Sequence, residues 1–168
     1  METQKGFSDT VESWLSRIPG VNTYRAREER RETDKRLRSH MASRLREAHS
    51  QLILIAQRLQ KAGLLDPLDE LDRLSSQVQQ MTDTIRYASY GYSGIFCLEK
   101  IREEELDRLY AFDLSLMDDL DLIMSSVGKM HQDFQPGRVT ELIRETANLV
   151  HALEKKFHQR RSFIGRSV

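Results

Sequence analysis

Residues 37–59 read LRSHMASRLREAHSQLILIAQRL, and this stretch decides the fold. Its apolar residues recur at steps of four, four, three, four, three and four: Leu37, Met41, Leu45, Ala48, Leu52, Ile55 and Leu59. Such steps place all of them on one face of an α-helix, as in the seam of a coiled coil. Because residues 23–62 contain no proline or glycine, we predict one continuous helix over that range.

The same apolar pattern continues downstream and predicts further helices. Gly63 is suited to end the first helix, and Asp66 followed by Pro67 is suited to begin the next one. Pro136 and Gly137 are expected to end a third long helix, and a last helix is expected over 139–159. Short connections make consecutive helices antiparallel. The sequence therefore predicts an all-α protein, an antiparallel bundle of about four long helices containing a coiled-coil-like hairpin.

The segment 87–96, YASYGYSGIF, interrupts this charged helical sequence, and we call it the aromatic-glycine segment. It contains three of the chain's five tyrosines and two of its eight glycines. Since a glycine costs a helix interior about 1 kcal/mol relative to alanine, the segment is interpreted as a turn between helices 66–90 and 95–135. Against a turn, the apolar spacing continues through Ile85, Ala88, Tyr92 and Ile95, which favours a continuous or kinked helix. Both interpretations stay open.

The aromatic side chains of this segment also have two interpretations. They are either core residues with their hydroxyl groups at the surface, or a surface that recognises a partner. Tyrosine supplies a large contact area with few rotatable bonds, and glycine allows close approach. The candidate partner-binding residues are Tyr87, Tyr90, Gly91, Tyr92, Gly94 and Phe96.

Residues 1–20 form a separate amphipathic unit in the prediction. Five apolar residues fall on one side of a short helix that ends before Pro19 and Gly20: Phe7, Val11, Trp14, Leu15 and Ile18. A helix of about twelve residues is marginal in water, so it must dock on the bundle, a partner protein or a lipid surface. The bundle is assigned to 21–159, and 160–168 is interpreted as a basic tail too short to fold.

Residues 25–38 form a basic arm with seven basic and four acidic residues, and this arm is expected to project into solvent. Together with the amphipathic helix, the arm offers docking residues for a membrane or partner: Arg25, Arg27, Arg30 and Arg31. The layout of short helix, Pro-Gly break and long hairpin resembles, in plan and in no sequence motif, the phage-shock and vesicle-inducing membrane-remodelling proteins. Nucleic acid is an unlikely partner, because glutamates interleave the arm and the pI is near 7.0.

The formal net charge of zero conceals a basic, acidic, basic order along the chain. Residues 1–62 contain 13 Lys/Arg against 8 Asp/Glu, residues 63–136 contain 6 against 15, and residues 137–168 contain 7 against 3. We interpret this order as outer helices that neutralise an acidic middle one across the bundle. A basic surface offered to an anionic partner is the alternative.

Residue types that support catalysis or metal binding are not arranged for it. Ferritin-like di-iron sites need a glutamate three residues before a histidine, and none of the five histidines has one. His151, Glu154 and His158 share a helix side but border solvent, so a structural role is favoured. The lone Cys97 excludes an internal disulfide and a cysteine zinc site. No catalytic, cofactor or metal residue is predicted.

Asp113 is the acidic residue with an unusual position, because it lies among Tyr110, Phe112 and Leu114. A carboxylate that points inward needs a charged or hydrogen-bonding partner. Arg86 and Arg108 are the expected candidates.

These observations favour a non-enzymatic helical scaffold or adaptor that mediates protein interaction or self-assembly, as an oligomer. Helices of 40 residues reach about 60 Å and expose more seam than one chain covers. A peripheral membrane-binding protein is the first alternative, and a bundle that binds a small ligand or metal is the second. Neither a signal peptide nor an apolar run of about 20 residues is apparent, so a cytoplasmic location is expected, with membrane association as the alternative.

Overall fold

The computed structural model describes residues 27–88 and 103–164, and within them the side chains of 35–88 and 111–160 apart from Pro136. These residues form four helices, α1 (Arg27–Lys61), α2 (Leu68–Arg86), α3 (Glu103–Gln132) and α4 (Pro136–Ile164). The predicted amphipathic helix, Cys97 and residues 89–96 of the aromatic-glycine segment lie outside the described residues.

The four helices pack as a bundle in which each has two neighbours. Contacts join α1 with α2, α3 with α4, α1 with α3, and α2 with α4. The order around the bundle is therefore α1, α2, α4, α3, and α2 lies diagonally opposite α3. The predicted all-α, antiparallel four-helix architecture is confirmed for the described residues.

Side-chain contacts fix the helix directions. Arg44 pairs with Asp121, and Arg58 donates a hydrogen bond to the His131 carbonyl, so α1 and α3 run in the same direction. Arg38 donates to the carbonyl of Ala88, which places the end of α2 beside Arg38. The part of α1 that precedes Arg38 extends about 16 Å beyond this level at 1.5 Å per residue. Consecutive helices within each hairpin are antiparallel.

The core is continuous and consists mainly of aliphatic and methionine side chains from all four helices, with Phe157 of α4 as a buried aromatic. All seven apolar positions of the opening stretch are buried, with 0–2% of their surface exposed. The facing side chains of α2 are equally buried: Leu71, Leu74, Val78, Met81 and Ile85. Their burial confirms the inference from the three-and-four spacing.

The turn between α1 and α2 follows the predicted chemistry with one correction. Gly63 has φ +72° and donates to the Gln60 carbonyl, while Leu64 donates to Leu59, which is the Schellman arrangement that ends helices. Asp66 is not the N-cap of α2. Pro67 is the N-cap, and no side chain caps the helix there. Its ring fixes φ near the helical value, and the observed φ is −79°.

The last helix is longer than predicted at both ends. Pro136 does not terminate α3, which ends at Gln132, but is the first residue of α4. Proline is tolerated there because the first helical N–H has no intrahelical partner. At its other end α4 continues to Ile164, so the predicted boundary of a basic tail at residue 160 lies inside the helix.

Helix α2 ends at Arg86, and Tyr87 is its C-cap with φ −100° and ψ 9°. The helix 66–90 of the turn interpretation is therefore too long, and an unbroken helix through Ala88, which the apolar spacing favoured, is wrong. Whether a turn or a kink follows lies outside the described residues. The conformation of Gly91 and Gly94 lies outside the described residues.

Candidate functional site

Tyr87 is the one predicted partner-binding residue within the described part of the chain. It is 67% exposed, directly after the last turn of α2. The guanidinium of Arg86 lies over its ring, 5.4 Å from the centroid. An exposed aromatic ring with a stacked cation is thus presented at the end of α2. The other members, Tyr90, Gly91, Tyr92, Gly94 and Phe96, lie outside the described residues.

Three of the predicted docking residues lie in α1. Arg27, Arg30 and Arg31 belong to its first turns, and their spacing of three and four puts their backbone positions on one face. Their helix turns precede the level at which α2 ends. The remaining docking residues, Phe7, Val11, Trp14, Leu15, Ile18 and Arg25, lie outside the described residues.

A polar groove lies along α2 and is bordered by His49 of α1. Its volume is about 630 Å³, and its lining includes Asp72, Gln79 and Asp83 of α2 with His49 of α1. Asp72, Ser76, Gln79, Asp83 and Tyr87 are spaced by three or four residues, so they lie on one face of α2. The Tyr87 N–H donates to the Asp83 carbonyl at 2.8 Å. Carboxylates and amides in this groove are suited to hydrogen-bond a polar partner segment.

A few large apolar side chains are exposed elsewhere on the described surface. Ile53 and Leu54 lie on α1, Leu65 lies in the α1–α2 connection, and Leu122 lies on α3. Scattered apolar side chains are normal on protein surfaces. These residues therefore do not define a second candidate site.

Asp113 and Arg160 form a buried ion pair between α3 and α4, with 1% and 2% of their surfaces exposed. Arg160 Nε and Nη2 donate to Asp113 Oδ1 and Oδ2 at 2.6 and 2.8 Å, a bidentate geometry. Asp113 points inward and has the charged partner that such a carboxylate needs. This partner is Arg160 and not the expected Arg86, while the side chain of Arg108 lies outside the described residues. Arg160 was missed because it was assigned to the tail, although Val150, Leu153, Phe157 and Arg160 continue the seam spacing.

This ion pair lies near the level where α2 ends. Arg44 and Asp121 set an offset of 77 residues between α1 and α3, which puts Arg38 about level with Ser115, close to Asp113. Arg38, Asp113 and Arg160 thus bring charged groups to the end of the apolar core. Sequence spacing alone did not bring these three together.

Ion pairs between helices follow the charge order of the sequence. Arg44 of α1 contacts Asp121 of α3 at 3.0 Å, and Lys156 of α4 contacts Asp119 of α3 at 2.6 Å. On the other side, Arg144 of α4 donates two hydrogen bonds to Glu70 of α2. Each pair joins a cation from an outer segment to an acid from the middle segment. In the described residues the acidic middle segment is thus paired with basic segments, but it supplies two helices, α2 and α3, where the sequence analysis expected one.

The hydrogen bond from Arg144 lowers the pKa of Glu70, and the Arg144 charge adds to this effect. The same pair raises the pKa of Arg144. Both side chains are at the surface, so the contribution is screened by water and salt. The pair shows that α2 and α4 are neighbours, but it contributes little to the stability of their packing.

His151, Glu154 and His158 border solvent, as predicted. Their side chains are 79%, 38% and 55% exposed, and the two histidines lie 3.8 and 4.0 Å from the Glu154 carboxylate. Among the described side chains, those of 35–88 and of 111–160 apart from Pro136, no three His, Cys, Asp or Glu residues are grouped to hold a metal ion.

The folded protein lowers the pKa of the partly buried His40. Burial lowers its pKa below 6.5, and the nearby Arg44 lowers it further, while Asp121 opposes the shift. The folded state disfavours protonation, so stability does not depend on this group above about pH 6.5 and decreases as the pH falls from there through the lowered folded-state pKa. An NMR titration should give His40 a pKa below 6.5, and Arg44→Gln should raise it. A value at or above 6.5 would contradict this account.

Comparisons with protein-family models, curated proteins and solved structures find no match for this chain. In the described part of the chain, none of the helices combines the length and the apolar character that crossing a bilayer requires. The function proposed below rests on the residues themselves.

Proposed function

We propose that this protein is a non-enzymatic helical adaptor or scaffold that binds a protein partner at the end of α2, through Tyr87 and the rest of the aromatic-glycine segment. The observation that supports the proposal is the exposure of Tyr87, 67%, with Arg86 over its ring. A buried Tyr87 would have favoured the packing interpretation of this segment.

The chemistry of this pair suits a protein interface. Tyrosine and arginine are enriched among the residues that dominate binding energy at interfaces. Stacking against the ring restricts the Arg86 guanidinium before a partner arrives, which lowers the conformational entropy lost on binding. Its planar set of N–H groups can then pair with a carboxylate of the partner.

The four-helix core supports the proposal as a platform. Ile85, one residue before Arg86, is fully buried, so the turn that carries Tyr87 is anchored in the core. A site on a rigid element loses less freedom on binding than a site on a loose segment. In this proposal the amphipathic helix and the basic arm make a second contact with the same partner or with another copy.

A photo-crosslinking amino acid at position 87 tests the proposal in cells that express the full chain. The matched control carries the same group at Gln57, an exposed position on α1. Cross-links to one protein, or to a second copy of this chain, are expected at position 87 with at least tenfold higher yield. The purified Tyr87→Ala variant should lose that binding while its stability changes by less than about 0.5 kcal/mol, because the ring is exposed.

Equal cross-linking from positions 87 and 57, or none from either, would refute the adaptor function. The membrane alternative is favoured by one observation, the helical alignment of Arg27, Arg30 and Arg31 on one face of α1. Co-flotation with anionic vesicles at low salt, without protein cross-links from position 87, would support that alternative instead.

A further inference from the structure

Arg38 makes a long-range contact with Ala88, which directly follows Tyr87. Its Nη1 donates to the Ala88 carbonyl at 2.9 Å, across a separation of 50 residues. The contact is half-buried. The last turn of α2 is closed one residue earlier, where the Tyr87 N–H donates to Asp83. Tyr87 therefore lies between the last helical residue, Arg86, and the Ala88 carbonyl to which Arg38 donates.

Arg38 occupies a position where the α1 repeat calls for an aliphatic residue. From Leu59 back to Met41 the buried positions step by four, three, four, three and four, and the next step of three reaches residue 38. Leu37 is the buried side chain at this level instead. An arginine in such a place gives up apolar packing, which indicates that its guanidinium has a specific task.

The end of a helix gives that task a physical basis. The last carbonyls of an α-helix lack intrahelical partners and carry partial negative charge. A cation that donates to a carbonyl just beyond the C-cap interacts favourably with that charge and orders the exit of the chain. Hydrogen bonds with a charged partner are among the stronger ones in proteins.

We propose that Arg38 is a positioning residue that fixes where the chain leaves α2 and thereby holds Tyr87 and Arg86 in their exposed, stacked arrangement. The inference rests on the proposed function for its biological meaning, because the arrangement it preserves is the proposed binding surface. It also makes a claim about the last turn of α2 that does not depend on any partner.

Amide hydrogen exchange of the full chain tests this claim. In Arg38→Leu, which restores the aliphatic pattern, the Tyr87 amide should exchange roughly tenfold faster than in the unchanged protein. The exchange rate of the Val78 amide should change little, and the melting temperature should stay the same or rise. Arg38→Lys should recover part of the protection at Tyr87. Arg46→Leu is the matched control, because Arg46 lies on the same helix and donates within it to Ala42.

Unchanged exchange at Tyr87 in Arg38→Leu would overturn the inference, and so would equal acceleration throughout the bundle, which marks a residue of general structural importance. The cross-linking experiment separates this inference from the proposed function. Absence of cross-links at position 87 in the unchanged protein refutes the adaptor function, while the exchange rates still decide the role of Arg38.

Discussion

Asp113→Ala should lower the free energy of unfolding by about 3–5 kcal/mol, because it leaves the Arg160 guanidinium buried without its carboxylate. Both groups are almost fully buried, and they share two hydrogen bonds of 2.6 and 2.8 Å. Removal of one partner does not return the other to water. Urea denaturation followed by circular dichroism would measure the loss.

Replacement of both partners should have a much smaller effect. In the double variant Asp113→Leu with Arg160→Met, the two charges of the pair are removed together, and stability should be unchanged or higher by about 1–4 kcal/mol. Asp118→Ala is the matched control, since Asp118 is an exposed acid on the same helix. Its effect should stay within about 0.5 kcal/mol. A loss of unfolding free energy below about 1 kcal/mol in Asp113→Ala would contradict the expectation that breaking the buried pair is strongly destabilising.

Leu52→Ala should cost about 2–5 kcal/mol of stability, because the truncation removes buried methyl groups and leaves a cavity in the middle of the core. Leu52 has no exposed surface. The neighbouring Leu54 provides a matched control, since it lies two residues away on the same helix and is 48% exposed. Leu54→Ala removes the same atoms as Leu52→Ala, but it should change stability by less than about 1 kcal/mol.

The two leucine variants test the packing of α1 directly. The slope of unfolding free energy against urea should be similar in both, because the folded surface is nearly unchanged. A comparable loss in Leu54→Ala would mean that Leu54 is covered, which is the result expected if this face of α1 packs against another chain. Sedimentation or light scattering of the unchanged protein would then identify the oligomer.

The fold was largely predictable because its signal is periodic and local. All seven apolar positions predicted as the seam in residues 37–59 are buried, and the α1–α2 turn falls at Gly63, where the chain adopts a positive φ. A three-and-four spacing defines a helix face without knowledge of what that face contacts. The helix ends were less predictable: Pro136 begins α4, although a proline is equally suited to follow a helix.

The candidate site was only partly predictable, because contacts between distant residues leave no local pattern. Tyr87 was singled out from composition, but its exposure depends on α2 ending at Arg86. The spacing of Ile85 and Ala88 favoured a helix that continued, and it gave no sign of the Arg38 side chain that meets the Ala88 carbonyl. The groove along α2 likewise requires the packing of α2 against His49 of α1.

By itself the sequence determined that this chain forms long amphipathic helices, since burial of a repeating apolar stripe dominates the free energy of folding. It also showed a basic, acidic, basic charge order, whose pairing across the bundle only the structure decided. Only the tertiary structure decided that α1 lies beside α3, that Asp113 meets Arg160 and that Arg38 reaches the end of α2. Apolar burial is non-directional and accepts several helix arrangements, whereas hydrogen bonds between charged groups are satisfied in few of them.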